Sequence, residues 1–123
     1  MKIKEVSEMF NISSDTLRYY EKAGLLEPVK RVNGVRDYSE DDLFRIRFVK
    51  CMRQAGLSIE AILRYVDLYN QGDSTLEDRL NILLKERDKI DLLIENLQET
   101  KKYLNTKIEN YQTKYSLLKQ TEE

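Results

Sequence analysis

The sequence predicts a mainly α-helical protein in which a small N-terminal domain with one β-hairpin precedes a single long helix. In the first half, apolar residues recur at helical spacing between four well-separated glycines. The dipeptide Asn33-Gly34 is a strong signal for a tight hairpin turn. From Leu76 onward, apolar residues alternate at steps of four and three without a proline or glycine. We therefore expect one domain at residues 1–72, and a coiled-coil helix with a short tail at residues 73–123.

Two short helices are expected at the N-terminus. The first has three apolar residues on one face, which are Ile3, Val6 and Phe10. Ser13 is a candidate N-cap for the second helix, and Asp15 in its first turn suits the positive end of the helix dipole. Leu17 and Tyr20 lie three residues apart, so both can pack back onto the first helix.

Two further helices are expected after Pro28 and the hairpin. Ser39 and Asp42 form a capping-box pattern that opens a third helix, with its apolar residues at Leu43, Ile46, Val49 and Met52. Ser58 can cap a fourth helix. Its expected inward stripe consists of Ile62, Tyr65 or Val66, and Tyr69.

A long helix is expected after a second capping-box pattern at Ser74 and Glu77. Its seam runs to Leu118 and is interrupted only by Arg87 and Lys101. A helix this long cannot bury its apolar stripe on a small domain, so the simplest partner is a second copy of the chain. A helical hairpin within one chain is the alternative. The residues expected at the dimer interface are Leu76, Leu80, Leu83, Ile90, Ile94, Leu97, Leu104, Ile108 and Tyr111.

Composition disfavours an enzyme. The chain has 123 residues, no histidine, one cysteine and a net charge of −1, so the commonest general base and the commonest metal ligand are both missing. No nucleophile–base pair or phosphate-binding loop is recognisable, and we expect no metal site and no cofactor. No apolar run is long enough to cross a membrane, and no signal peptide is recognisable, so we expect a cytoplasmic protein without membrane contact.

Basic and aromatic residues gather where a DNA-binding protein would need them. The hairpin region 29–36 carries Lys30, Arg31 and Arg36 without an acidic residue, and the second helix carries Arg18 and Tyr19. A basic hairpin beside such a helix predicts a winged helix-turn-helix, with the helix in the major groove and the wing on flanking phosphates. The alternative is that these are solvated charges on ordinary amphipathic helices.

The stretches ISSDTLRYYEKAGLLEP, NGVRDYSEDDLFRIRFVK and QAGLSIEAI closely resemble the MerR family of bacterial transcription regulators. The resemblance covers about residues 1–72. It implies a homodimer with an antiparallel coiled coil, located in the bacterial cytoplasm at the nucleoid. Such a dimer binds a palindromic operator in double-stranded promoter DNA and distorts its spacer for RNA polymerase. A DNA-architectural or purely coiled-coil protein without a regulatory role remains the alternative.

Carried over residue by residue, the resemblance places Thr16, Arg18 and Tyr19 on the recognition helix, with Arg18 and Tyr19 contacting DNA. Arg36 and Tyr38 in the first wing would bind backbone phosphates, near Lys30 and Arg31. The helix pair from Leu43 to Tyr69 would form the second wing. Its expected phosphate contacts are Arg53 and Ser58.

Cys51 has two interpretations. The segment VKCMRQAGLS resembles the aldehyde- and thiol-stress branch of the family (AdhR- and NmlR-like regulators), which implies a cysteine that senses electrophiles. Arg47 and Lys50 lie close in sequence and would favour the reactive thiolate. Cys51 could equally be a small packing residue. In that case the inducer would be a noncovalent ligand that the sequence does not identify, along with the operator and the regulated genes.

Overall fold

The computed structural model describes residues 1–122 of the chain, and it confirms the predicted mainly α-helical fold. Two helices, a two-stranded antiparallel hairpin and two more helices precede one long helix. A single 3₁₀ turn at Asp73–Thr75 connects the fourth helix to the fifth. The elements are α1 (Ile3–Phe10), α2 (Ser14–Lys22), β1 (Arg31–Val32), β2 (Val35–Arg36), α3 (Glu40–Gln54), α4 (Ile59–Asn70) and α5 (Leu76–Glu122).

One apolar core holds α1 to α4 together. The predicted inward residues Val6, Leu17, Ile46 and Ile62 have no exposed surface at all, which is the arrangement that helical spacing on four amphipathic segments requires. Tyr69 departs from the predicted stripe of α4 because its side chain is exposed. The remaining core residues are Phe10, Tyr20, Leu25, Leu26, Val29, Tyr38, Val49, Leu57 and Val66.

The hairpin forms where the sequence predicts it. Asn33 and Gly34 both have positive φ angles, 52° and 79°, as both central residues of a type I′ turn require. Arg31 pairs with Arg36 across the strands, and the Asp37 amide donates to the Lys30 carbonyl at 2.7 Å. The wing is therefore short, and a backbone hydrogen bond closes its base.

Three of the four predicted caps are confirmed and one is wrong. Ser13 accepts a hydrogen bond from the Thr16 amide, Ser39 and Asp42 form both bonds of a capping box, and Ser58 accepts a hydrogen bond from the Ala61 amide. Ser74 makes no capping hydrogen bond among the described residues, because the 3₁₀ turn Asp73–Thr75 replaces the expected helix start. The neighbouring Thr75 is buried there instead.

Ser39→Ala is expected to lower the free energy of unfolding by about 1 kcal/mol, because the Asp42 amide loses its acceptor at the start of α3. Ser74→Ala is the matched control, since Ser74 is also exposed and follows the same sequence pattern but caps nothing. Urea unfolding followed by circular dichroism measures both. Equal losses in the two variants would contradict the assignment of Ser39 as the cap.

The chain divides into two compact units, the first spanning Met1–Ile82 and the second beginning at Leu83. The functional boundary at residues 72/73 stays a prediction, and the last residue of the predicted segment 73–123, Glu123, lies outside the described residues. Within the described range α5 is one unbroken helix, so the alternative of a helical hairpin within one chain is wrong. Among the described residues, no helix combines the length and apolarity that crossing a bilayer demands.

Candidate nucleic-acid interface

Helix α2 presents two of the predicted contact residues to solvent. Ser13 caps the helix, while Leu17 and Tyr20 bury their side chains in the core. Arg18 and Tyr19 lie between these two anchors, and both are exposed. The helix thus turns a guanidinium and a phenol outward, as a helix that enters the major groove needs.

Arg18 and Thr16 have partners within the protein. An Nη1 atom of Arg18 lies 2.9 Å from the Asp15 carboxylate, which is almost fully exposed. Such a surface ion pair contributes little stability, so the Arg18 guanidinium can exchange Asp15 for a base or a phosphate at small cost. The Thr16 hydroxyl accepts a hydrogen bond from Ser13 Oγ at 2.8 Å, which makes it part of the cap.

The wing is attached to α2 by one ion pair. Arg36 Nε lies 3.0 Å from Glu21 Oε1, and both side chains are mostly buried. Because a guanidinium has five N–H donors, the others remain available for a phosphate while this one is used. Lys30 and Arg31 are exposed. The pair between Arg36 and Glu21 therefore fixes where the wing stands relative to α2, a contact that the sequence did not predict.

Tyr38, predicted to bind a phosphate, is 3% exposed. Its hydroxyl is buried and makes no hydrogen bond among the described residues. In this conformation the hydroxyl cannot reach DNA, and the phosphate contact stays a prediction. Burial raises the pKa of Tyr38 above its ordinary value, since the phenolate would lose its hydration.

Tyr38→Phe is expected to leave the free energy of unfolding unchanged or to raise it by about 1 kcal/mol, because a buried hydroxyl without a partner disappears.

The raised pKa of Tyr38 also predicts a pH dependence of the free energy of unfolding. The stability associated with the raised pKa is present below the unfolded pKa of about 10 and is lost as the pH rises above that value, where the buried hydroxyl would have to ionise. The variant should lose less stability in that alkaline range. A weaker affinity of Tyr38→Phe for operator DNA would instead favour the predicted phosphate contact.

The turn between α3 and α4 holds the predicted contacts of the second wing. Arg53 Nη1 donates to the Leu57 carbonyl at 2.9 Å, and Ser58 Oγ accepts from the Ala61 amide at 3.1 Å. Both residues are exposed. Arg53 therefore stands beside the N-terminus of α4, where free backbone amides and the helix dipole favour an anion such as phosphate.

Cys51 is exposed in the second half of α3. Its sequence neighbour Lys50 is directed elsewhere, since the Lys50 ammonium donates to the Phe10 carbonyl at the end of α1. Lys50 thus ties α3 to α1 as well as carrying charge. Within residues 1–122, no three histidine, cysteine or carboxylate side chains converge as a metal site would require.

A cavity of about 520 Å³ between α3 and α4 was not predicted from the sequence. Phe48 and Tyr65 stack at its wall with ring centroids 4.6 Å apart. Phe44 lies four residues before Phe48, a spacing that could have revealed an aromatic face on α3. Arg45 also lines the cavity, and its Nη1 atom is buried without a hydrogen-bond partner among the described residues.

Two family models match the chain. Residues 1–68 match the MerR HTH family of regulatory proteins, and residues 43–107 match the MerR DNA-binding family. The two matches overlap on most of α3 and α4, and together they include α2, the hairpin and the first part of α5.

Curated relatives and solved structures agree with these matches. AdhR, an HTH-type transcriptional regulator of Bacillus subtilis, is 52% identical over 73% of this chain, although the match spans only 65% of AdhR. HmrR, an HTH-type transcriptional regulator of Rhizobium leguminosarum, is 36% identical over 85% of this chain and 81% of its own length. HiNmlR, a MerR family regulator lacking the sensor domain, was crystallised bound to promoter DNA. It superposes with a TM-score of 0.82 at 30% identity, covering 91% of this chain and 90% of its own. A MerR family regulator from Bacillus thuringiensis gives 0.77 at 28% identity, with coverage of 88% and 96%.

Proposed function

Because the chain belongs to the MerR family of helix-turn-helix transcription regulators, we propose that it binds a palindromic promoter operator as a homodimer and distorts the spacer. The distortion would bring over-separated promoter elements into a register that RNA polymerase can use. Control of this kind depends on DNA shape more than on base reading.

The observation that carries this proposal is the pairing of α2 with the wing. Arg18 and Tyr19 point outward from α2, and the ion pair between Arg36 and Glu21 holds the basic hairpin against the same helix. One protomer can therefore place a helix in a major groove and cations on the adjacent backbone. The structural similarity to HiNmlR, which was crystallised on promoter DNA, supports this arrangement.

The proposed homodimer is supported by α5. Along this helix the predicted seam residues Ile94, Leu97, Leu104 and Ile108 each leave about half of their surface exposed in a single chain. A regular apolar stripe of this length is typical of a coiled coil. A second copy of the chain supplies the matching stripe.

Operator selection followed by footprinting tests the proposal. Duplexes that the full chain enriches from a random-sequence pool should contain two inverted half-sites, and footprints on matching genomic promoters should lie between the promoter elements. Binding to scrambled duplexes should be far weaker at the same salt concentration. Equal affinity for scrambled DNA, or protection away from promoters, would favour the DNA-architectural alternative.

We also propose that Cys51 senses electrophilic aldehydes. Its exposure on α3 and the similarity to AdhR over residues that include α3 support this. The Cys51 thiolate would add to the β-carbon of an α,β-unsaturated aldehyde, forming a C–S bond. The carbon next to the carbonyl would then take a proton from water. The adduct would stand on the helix that carries Arg53 and the second wing, where it could change how the wing meets DNA.

Acrolein treatment of the DNA-bound wild type and of Cys51→Ser tests the sensor. Intact-protein mass spectrometry should show one added acrolein on the wild type and none on the variant. Transcription in vitro from the selected promoter should respond to acrolein only with the wild type. Alkylation without a transcriptional response, or a response that survives in Cys51→Ser, would refute the sensor and favour a noncovalent inducer.

A further inference from the structure

Arg79 is the most deeply buried charged residue within the part of the chain that the structure describes. It lies in the second turn of α5 and is 9% exposed, beside the buried Thr75. Burying a guanidinium is costly unless its donors are satisfied. The groups that accept hydrogen bonds from the Arg79 guanidinium therefore indicate the role of this residue.

Arg79 and Thr75 together bind carbonyl groups in the last turn of α4 and in the loop that follows it. Arg79 Nη2 donates to the Gly72 carbonyl at 3.1 Å, and Nε donates to Thr75 Oγ1 at 3.0 Å. The same Thr75 oxygen lies 2.6 Å from the Leu68 carbonyl and 2.8 Å from the Gly72 carbonyl. Carbonyls at a helix C-terminus lack partners within the helix and carry partial negative charge. Thr75, in the 3₁₀ turn, thus caps the last turn of α4, and Arg79, in α5, holds the Gly72 carbonyl just beyond it.

Tyr69 extends this cap to α3. The Arg79 guanidinium carbon lies 5.2 Å from the centre of the Tyr69 ring, and that of Arg45 lies 5.4 Å from it. Both distances are in the range of a cation–π contact. Half-exposed Tyr69 therefore joins a cation from α3 to a cation from α5, which explains why it does not point into the core as predicted.

The link between α4 and α5 needs such a restraint. Gly72 has a φ angle of +92°, which glycine adopts without strain, so the chain could pivot here. A pivot of about 10° would displace the far end of a helix of this length by about 12 Å. Small changes at this junction would become large changes at the dimer interface.

We propose that Arg79 and Tyr69 are positioning residues that fix the direction in which α5 leaves α4, and so set the operator spacing that the dimer accepts. The inference rests on the proposed homodimer with its two half-sites. The distance between the two recognition helices must match the distance between the half-sites. A looser junction lets the dimer accept several spacings.

The test uses the full chain and the duplex selected by the wild type, together with duplexes whose spacer is longer or shorter by one base pair. The wild type should bind the duplex with the selected spacing clearly more tightly than either duplex with an altered spacer. In Arg79→Gln and in Tyr69→Leu this preference should fall by about fivefold or more, because both variants lose the cation–π contact between the two residues. Tyr69→Phe keeps the ring and should keep the preference. Lys85→Gln, at an exposed position on α5, should do the same.

Affinity for a duplex with a single half-site separates positioning from general damage. It should stay within about twofold of wild type in all four variants, because the contact surface of α2 and the wing is unchanged. An unaltered spacing preference in Arg79→Gln and Tyr69→Leu would overturn the inference. If Arg79→Gln does not fold, the comparison of Tyr69→Leu with Tyr69→Phe decides. A wild type that selects no paired half-sites would instead overturn the proposed homodimer function, and this inference with it.

Discussion

Leu97→Lys is expected to lower the apparent operator affinity by about 10²–10⁴-fold, the advantage that two linked half-site contacts have over one. Leu97 lies on the predicted seam of α5, where a lysine would have to enter the core of the coiled coil. Leu92→Lys is the matched control. Both leucines belong to α5 and both are 58% exposed in a single chain, but Leu92 lies on the opposite side of the heptad. Its replacement should leave affinity unchanged.

Sedimentation equilibrium and gel-shift titration measure the two variants. Leu97→Lys should sediment as a monomer at concentrations where the wild type and Leu92→Lys are dimers. Circular dichroism of the monomer should retain the signal of α1 to α4 and lose part of that of α5, since long helices of this polarity need a partner. A dimeric Leu97→Lys, or a monomeric Leu92→Lys, would refute the predicted seam.

Local signals predicted the fold because they involve atoms only a few residues apart. The turn at Asn33-Gly34 depends on two backbone conformations. The caps at Ser13 and Ser39 depend on a side chain and an amide three residues away. Such interactions are encoded in a short stretch of sequence, so the element order and most element starts followed from it.

Partners that are distant in sequence were not predictable in this way. Glu21 and Arg36 are separated by fifteen residues, and Lys50 and Phe10 by forty. Ser74 has a capping-box pattern, yet Thr75 forms the junction with Arg79, because burial against α4 decides between the two neighbours. In the same way, the family resemblance assigned Tyr38 to a phosphate, whereas packing places its hydroxyl inside. The sequence indicated which residues could contact DNA or cap a helix, and packing determined which of their atoms are accessible.

Arg18→Gln is expected to lower affinity for the selected operator by about 10- to 100-fold, the range for losing one base-reading arginine. Affinity for scrambled duplexes should fall far less, because a base contact contributes little to nonspecific binding. Arg53→Gln is the informative comparison. Arg53 stands at the N-terminus of α4, so its loss should weaken binding to all sequences alike. The slope of the logarithm of the binding constant against the logarithm of the salt concentration should become smaller by about one, because one phosphate contact is lost.

The ion pair with Asp15 allows a second control for Arg18. Asp15→Asn removes the carboxylate 2.9 Å from the Arg18 guanidinium but keeps a side chain of the same shape. If Arg18 leaves Asp15 to contact DNA, this variant should bind the operator as tightly as wild type or more tightly, since one negative charge near the phosphates has gone. Fluorescence anisotropy at several salt concentrations measures all three variants. A weaker Asp15→Asn would mean that the ion pair itself orients Arg18 in the complex. Equal losses of Arg18→Gln on operator and scrambled DNA would make Arg18 a phosphate contact and leave base reading to Tyr19 and its neighbours.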